Sequence, residues 1–107
     1  EYELILKGTK SLKIVSWWSE ACDIIPKASG KANAIYKILE YYGYSVEESM
    51  AFGDGGNDKD MLEAVGMGIA MGNAIDEVKK IADYVCNTVD HDGVCGAIDK
   101  FIFKKEC

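Results

Sequence analysis

The sequence has no long apolar segment, a single proline, a single histidine and no closely spaced pair of cysteines. A membrane-spanning helix needs about 18 consecutive apolar residues, so we expect no association with a membrane. The chain starts at Glu1 without a basic region followed by an apolar stretch, so no export signal is expected. Zinc sites and small disulfide frameworks need cysteine spacings that are absent here, where the four cysteines are Cys22, Cys86, Cys95 and Cys107. These absences predict a cytoplasmic protein with reduced thiols.

A basic segment is missing as well. The chain carries 12 Lys and Arg against 18 Asp and Glu, a formal net charge of -6. Binding to a nucleic-acid backbone requires clustered positive charge, so nucleic acid is not an expected partner. A small anionic substrate would be repelled by the overall field unless a bound cation or a well-placed lysine reverses that field locally.

What the sequence does contain is the composition of an ordered domain. Of its 107 residues, 49% are hydrophobic and 28% are charged, which lies outside the range of disordered chains. Residues 1–26 are rich in strand-forming side chains, and two strands are predicted before Pro26. Pro26 is the one domain boundary that we predict.

After Pro26 the pattern changes to alternating helices and strands. Ile35, Ile38, Leu39 and Tyr42 have the spacing of one helix face, in a segment that Ser29 or Gly30 can open and Gly43 can close. Three strand-and-helix units follow, with strands predicted near residues 50–52, 69–71 and 84–86 and helices of 8 to 12 residues. Asn73 is a candidate cap for the second of these helices, and the last helix is predicted to end on Lys104 and Lys105. Short buried strands alternating with helices predict an α/β fold with a parallel sheet.

The most informative segment is the acidic loop at residues 53–58, Gly-Asp-Gly-Gly-Asn-Asp, between a predicted strand and a helix. Open α/β sheets bind ligands at this position. Asp54 and Asp58 offer carboxylate oxygens to Mg²⁺, which needs few protein ligands, and Asn57 can donate to a phosphate oxygen. The spacing fits neither an EF-hand nor a dinucleotide loop. For Asp58 alone, simple capping of the next helix remains an alternative.

Two further places carry candidate residues. Lys31 opens the first predicted helix, where free backbone amides favour an anion, although a solvated surface lysine is the simpler interpretation of that residue alone. Asp90, His91 and Asp92 follow a predicted strand. The two aspartates have the spacing of a nucleophile and a general acid two residues later. Loops of this kind are common before helices, and we interpret Asp92 as a cap and His91 as an exposed loop residue.

Two segments resemble the haloacid dehalogenase (HAD) superfamily, and within it the Cof-type phosphatases of sugar phosphates and related small phosphomonoesters. Residues 25–31, Ile-Pro-Lys-Ala-Ser-Gly-Lys, resemble the lysine motif of that family, and residues 51–62 resemble its metal motif. The likeness continues through residues 70–74, 78–79, 82–83 and 92–94. It implies a three-layer Rossmann-like core that is incomplete, with residues 27–107 as its C-terminal part. Residues 1–26 resemble the end of an α/β cap domain.

The resemblance also implies roles for individual residues. Lys31 is the expected catalytic charge stabiliser and a contact to the substrate phosphate, and Asn57 is a second phosphate contact. Asp54 and Asp58 are the expected metal residues, Asp54 as a ligand and Asp58 through a metal-bound water or as an acid beside the direct ligands. Mg²⁺ is the implied cofactor, and a small phosphorylated metabolite is the implied partner.

One part of the family pattern is missing. No Asp-x-Asp-Gly-Thr segment precedes Lys31, and this segment carries the nucleophile and the acid/base residue in the family. We therefore expect a phosphomonoester hydrolase that is inactive as this chain alone. The alternative is a non-catalytic Mg²⁺- or phosphate-binding module completed by another chain. A receiver domain fits less well, because its lysine follows the phosphorylated Asp. Without the nucleophile strand, an exposed sheet edge should favour self-association or strand exchange.

Overall fold

A computed structural model describes residues 12–18, 21–26 and 29–104 of the chain. The first two ranges form an antiparallel pair, β1 (Leu12–Trp18) and β2 (Ala21–Pro26). Leu12 lies opposite Pro26, and the register shifts between Ser16 and Trp18. Two strands before Pro26 were predicted, and both are present. The assignment of residues 1–26 to a cap domain and of 27–107 to the core remains a prediction.

The rest of the described chain is a helix followed by three strand-and-helix units. The elements in order are α1 (Lys31–Tyr42), β3 (Met50–Gly53), α2 (Lys59–Ala64), β4 (Met67–Ala70), α3 (Asp76–Ile81), β5 (Tyr84–Val85) and α4 (Gly93–Phe101). Short 3-10 turns lie at Val46–Glu48, Gly56–Asp58 and Val89–His91. The strands form a parallel sheet in the order β3-β4-β5, with Met50 opposite Met67. The predicted α/β fold with a parallel sheet is confirmed.

Helix α1 begins and ends at the predicted glycines. Gly30 occupies the cap position before Lys31, and Gly43 ends the helix with a φ of 76°, in the left-handed region that glycine adopts without strain. The Gly43 N–H donates to the Glu40 carbonyl at 3.3 Å. Ile35 packs against the core, but no residue of the helix is fully buried. Helix α1 therefore lies on the surface of the described structure.

Helices α2 and α3 contain six residues each, so the prediction of 8 to 12 residues was wrong for both. Helix α2 is entered through the 3-10 turn Gly56–Asp58, and it stops because Val65 turns to an extended conformation before Gly66. A Cβ at Gly66 would lie 2.7 Å from the Glu47 carbonyl oxygen, so the chain turns there with no room for a side chain. The final helix was predicted to run to the lysines after Phe103, but it ends at Phe101.

The core lies around β4 and the helices beside it. Its largest fully buried side chains are Leu62, Ile69 and Val78, and burial of each contributes about 1.5–3 kcal/mol. Because parallel strands start and end together, this core fixes the loops that follow β3, β4 and β5 at one edge of the sheet. None of the helices in the described ranges is long and apolar enough to cross a membrane.

Candidate functional site

The acidic loop is folded around the side chain of Asp58. This residue is only 5% exposed, although it carries a carboxylate. Its Oδ2 accepts a hydrogen bond from the Asp54 N–H at 3.0 Å and another from the Gly55 N–H at 3.2 Å. Charge-assisted bonds of this kind are stronger than bonds between neutral groups. Asp58 therefore holds the start of its own loop in place, and its side chain does not cap the helix that follows.

The second oxygen of Asp58 binds Lys31. The Lys31 ammonium donates to Asp58 Oδ1, forming an ion pair between residues 27 positions apart in sequence. The Asp58 side chain is 7% exposed and that of Lys31 is 49% exposed. The structure thus brings together the lysine at the start of α1 and the acidic loop after β3, and it leaves the Lys31 side chain about half exposed.

The ionisation of Asp58 follows from these contacts. Burial raises the pKa of its carboxyl group, because burial disfavours the charged form. The hydrogen bond from Lys31, the two backbone N–H donors and the charge of Lys31 act in the opposite direction, and together they hold the pKa below its ordinary value of 3.8. The carboxylate is therefore ionised at neutral pH.

Gly53, the last residue of β3, is required by the position of Asp58. A Cβ at Gly53 would lie 2.6 Å from Asp58 Cβ and 3.0 Å from Asp58 Cγ. Real Cβ atoms do not approach other atoms so closely without a shift in the structure. The glycine at this position allows the buried carboxylate to lie directly against the end of the strand.

Asp54 contrasts with Asp58 because its side chain is exposed. Its carboxylate has no hydrogen bond or ion pair to another residue in the described ranges, whereas its backbone is held on both sides. The Asp54 N–H donates to Asp58, and the Asp54 carbonyl accepts from the Ile75 N–H at 3.2 Å. Asn57 lies half-buried in the 3-10 turn between the two acids. A carboxylate with no partner among the described residues thus stands on a fixed backbone at the carboxyl end of β3.

This arrangement fits Mg²⁺ better than a metal that needs a full protein cage. Among the described residues no group of three or more His, Cys, Asp or Glu side chains could hold a metal ion. Mg²⁺ keeps several waters and binds through one or two carboxylates together with substrate phosphate. Asp54 can be such a carboxylate. Both oxygens of Asp58 are already engaged, which favours contact through a metal-bound water over direct ligation.

The loops after β4 and β5 differ from expectation. Asn73 does not cap α3, because the cap position is occupied by Ile75; the Asn73 Oδ1 instead accepts from the Val89 N–H at 3.0 Å. Asp92 stands at the start of α4 as expected, but its side chain makes no capping bond. His91 is exposed, and its Nδ1 pairs with Thr88 Oγ1 at 2.9 Å. The hydrogen bond between Asn73 and Val89 was not predicted, because sequence spacing indicates contacts within one strand-and-helix unit and this bond joins two units.

Comparison with known proteins gives a consistent result. The family model of haloacid dehalogenase-like hydrolases matches residues 2–98. A 5-amino-6-(5-phospho-D-ribitylamino)uracil phosphatase of Bacillus subtilis, YwtE, is 38% identical over 97 residues, which are 91% of this chain and 34% of that protein. A protein of Geobacillus stearothermophilus with no described function is 42% identical over 82 residues, which are 77% of this chain and 86% of that protein.

Solved structures show the same relationship. A HAD subclass IIB sugar phosphatase superposes with a TM-score of 0.86 at 37% identity, covering 94% of this chain and 38% of that one. A phosphatase of the haloalkanoate (HAD) superfamily from Bacteroides thetaiotaomicron gives a TM-score of 0.86 at 37% identity, covering 94% and 37%. The chain thus spans about a third of the length of the phosphatases that it matches. These matches establish that the chain belongs to the haloacid dehalogenase-like hydrolase family.

Proposed function

We propose that this chain is the C-terminal part of a Mg²⁺-dependent phosphatase that hydrolyses a small phosphorylated metabolite, of the sugar-phosphate type, in the cytoplasm. One observation carries the proposal. Buried Asp58 binds both Lys31 and the backbone of the acidic loop, and this leaves the Asp54 carboxylate exposed at the carboxyl end of β3. In this proposal the acidic loop supplies the metal ligand, and the half-exposed Lys31 side chain is bound to the same loop through Asp58.

Each residue of the loop has a distinct role in this proposal. Asp54 holds Mg²⁺, which when bound neutralises charge that develops on the phosphoryl oxygens. Lys31 offers the same phosphate the N–H donors that Asp58 does not use, while the ion pair with Asp58 holds its side chain in place. The Asn57 amide donates to a further phosphate oxygen. Asp58 itself orients the other groups, since its two oxygens are already engaged.

The net negative charge of the chain requires positive charge at the site if a phosphate is to bind there. The chain has a net charge of -6, so its overall field opposes the approach of a phosphate monoester. Lys31 and a divalent cation would reverse the field at the acidic loop alone. A phosphorylated metabolite as substrate is also supported by the related proteins, whose names include a sugar phosphatase and a phosphoglycolate phosphatase.

The nucleophile belongs, in this proposal, to sequence outside the chain. No Asp-x-Asp-Gly-Thr segment precedes Lys31. We expect purified chain to bind Mg²⁺ in calorimetry, and not to hydrolyse p-nitrophenyl phosphate with or without Mg²⁺. Hydrolysis that depends on Mg²⁺ and is abolished by Asp90→Asn, but not by the matched Asp92→Asn, would show that the nucleophile lies in this chain. Absence of Mg²⁺ binding would contradict the metal site.

A second candidate function is a non-catalytic Mg²⁺- or phosphate-binding module completed by another polypeptide. The observation that favours it is the edge of the parallel sheet, where β3 pairs with β4 alone within the described ranges. Such an edge can accept a further strand. An apolar groove of about 320 Å³ adjoins the start of β3; its lining includes Ile35, Leu39 and Met50. Binding of Mg²⁺ and phosphate without hydrolysis, even after a polypeptide that completes the sheet is added, would favour this function.

In the isolated chain, the same edge should promote self-association or strand exchange. Small-angle scattering over a range of protein concentrations would measure it. We expect the average molecular mass to rise with concentration. A monodisperse monomer at every concentration would contradict this part of the proposal.

A further inference from the structure

The loop that joins β4 to α3 is held against the turn that follows β5. The Asn73 Oδ1 accepts from the Val89 N–H at 3.0 Å, and the Gly72 N–H donates to the Asn87 carbonyl at 3.2 Å. A Cβ at Gly72 would lie 2.8 Å from the Thr88 nitrogen and 2.9 Å from the Cys86 carbonyl oxygen. The two segments are therefore in close backbone contact, and Asn73 supplies the side-chain bond between them.

The two ends of the same loop support the acidic loop. The Met71 N–H donates to the Gly53 carbonyl at 2.9 Å, and the Ile75 N–H donates to the Asp54 carbonyl at 3.2 Å. Asn73 lies between these two donors in the sequence. A shift of the loop at Asn73 would therefore move the Ile75 N–H, which is the group that fixes the carbonyl side of Asp54.

The exposed side chain of Asp54 makes this support important. Its carboxylate has no bond to another described residue, so the direction in which it points depends on the backbone that carries it. The Asp54 N–H is fixed by Asp58 and the Asp54 carbonyl by Ile75. Asp58 belongs to the acidic loop itself, whereas Ile75 belongs to a neighbouring strand-and-helix unit. The second support therefore depends on how that unit is anchored.

We propose that Asn73 is a positioning residue for the metal site. By holding the β4–α3 loop against Val89, it keeps the Ile75 N–H on the Asp54 carbonyl and so orients the Asp54 carboxylate toward Mg²⁺. This inference rests on the proposed function, in which Asp54 is the metal ligand. Outer residues that orient a ligand commonly alter metal affinity without touching the metal.

The test compares Asn73→Ala with Asn87→Ala in the same chain. Asn87 is an exposed asparagine of the same turn, and only its backbone takes part in the bonds described for it. Asn73→Ala should speed amide hydrogen exchange at Ile75 about fivefold, as expected for one weakened hydrogen bond. It should also weaken Mg²⁺ binding in calorimetry about threefold to tenfold. This is a smaller effect than removal of a residue that itself hydrogen-bonds a metal ligand, since Asn73 acts through Ile75. Asn87→Ala should change neither quantity.

A conservative variant separates positioning from general stability. Asn73→Asp keeps an oxygen that can accept from Val89, so it should restore slow exchange at Ile75. A purely structural role predicts a lower melting temperature for Asn73→Ala with unchanged exchange at Ile75 and unchanged Mg²⁺ affinity, and that result would overturn the inference.

The reference variant Asp54→Asn distinguishes failure of the positioning role from failure of the metal site. If Asp54→Asn weakens Mg²⁺ binding and Asn73→Ala does not, the positioning role is wrong and the proposed metal site stands. If Asp54→Asn leaves Mg²⁺ binding unchanged, the metal site itself is wrong and the positioning role is lost with it.

Discussion

Replacing Asp58 tests how strongly one buried carboxylate organises the site. In Asp58→Ala the backbone N–H groups of Asp54 and Gly55 lose their acceptor, and each such bond is worth about 0.5–1.5 kcal/mol. The pair with Lys31 adds less, about 0.5–1 kcal/mol, because the lysine side chain is 49% exposed and water screens the interaction. The sum is a loss of about 1.5–4 kcal/mol in the free energy of unfolding.

Asp58→Asn separates these contributions. Its amide oxygen can still accept from both backbone N–H groups. Its NH₂ group, however, then faces the Lys31 ammonium, and two donors cannot form a hydrogen bond with each other. The expected loss is only about 1 kcal/mol. Urea unfolding followed by circular dichroism measures both variants, with Asp60→Ala as the control, since Asp60 is exposed in the first turn of α2.

An Asp58→Ala variant no less stable than Asp60→Ala would contradict the organising role of Asp58. Equal losses in Asp58→Asn and Asp58→Ala would contradict it too, because the two backbone bonds would then contribute nothing. A double-mutant cycle with Lys31→Met isolates the ion pair, for which we expect a coupling energy of about 0.5–1 kcal/mol.

Three further outcomes follow from the same geometry. Gly53→Ala should lower the free energy of unfolding by about 1–3 kcal/mol, because its Cβ would lie 2.6 Å from Asp58 Cβ; urea unfolding measures this, and a neutral effect would contradict the close contact. Because the pKa of Asp58 is lowered in the folded protein, its charge stabilises the fold above the ordinary value of 3.8, and this part is lost as the pH falls below that value toward the folded pKa. Unfolding measured between about pH 6 and about pH 3 should show a weaker acid dependence in Asp58→Asn than in the parent chain, and equal dependence would argue against the shift. Burial raises the pKa of the Cys86 thiol, so iodoacetamide should modify exposed Cys95 before Cys86 in peptide mapping, and the reverse order would contradict the assigned burial.

Local patterns in the sequence were enough to predict much of the fold. The apolar spacing from Ile35 to Tyr42, bounded by glycines, gave α1 with its observed ends. The alternation of short apolar runs with helical segments predicted the parallel sheet, because each strand-and-helix unit consists of contiguous residues. The acidic loop could be placed because it lies directly after one of these strands.

Features that depend on contacts between distant segments could not be predicted in the same way. The bond between Lys31 and Asp58 joins residues 27 positions apart, and no spacing rule specifies it. Asn73 was expected to cap α3, yet its oxygen binds the Val89 N–H of the next unit, because a tertiary contact was available to it. The lengths of α2 and α3 were overestimated. Helix α2 ends at Ala64 because Val65 is extended, and α3 ends at Ile81 because Ala82 is extended.

The most direct measurement for the metal site replaces Mg²⁺ with paramagnetic Mn²⁺ and follows the backbone amide signals by NMR. Mn²⁺ bound by Asp54 should broaden the amides of residues 53–58 first, and Asp54→Asn should remove that broadening at the same Mn²⁺ concentration. Broadening centred on residues 90–92, or broadening at the acidic loop that persists in Asp54→Asn, would contradict the assignment of Asp54 as the metal ligand.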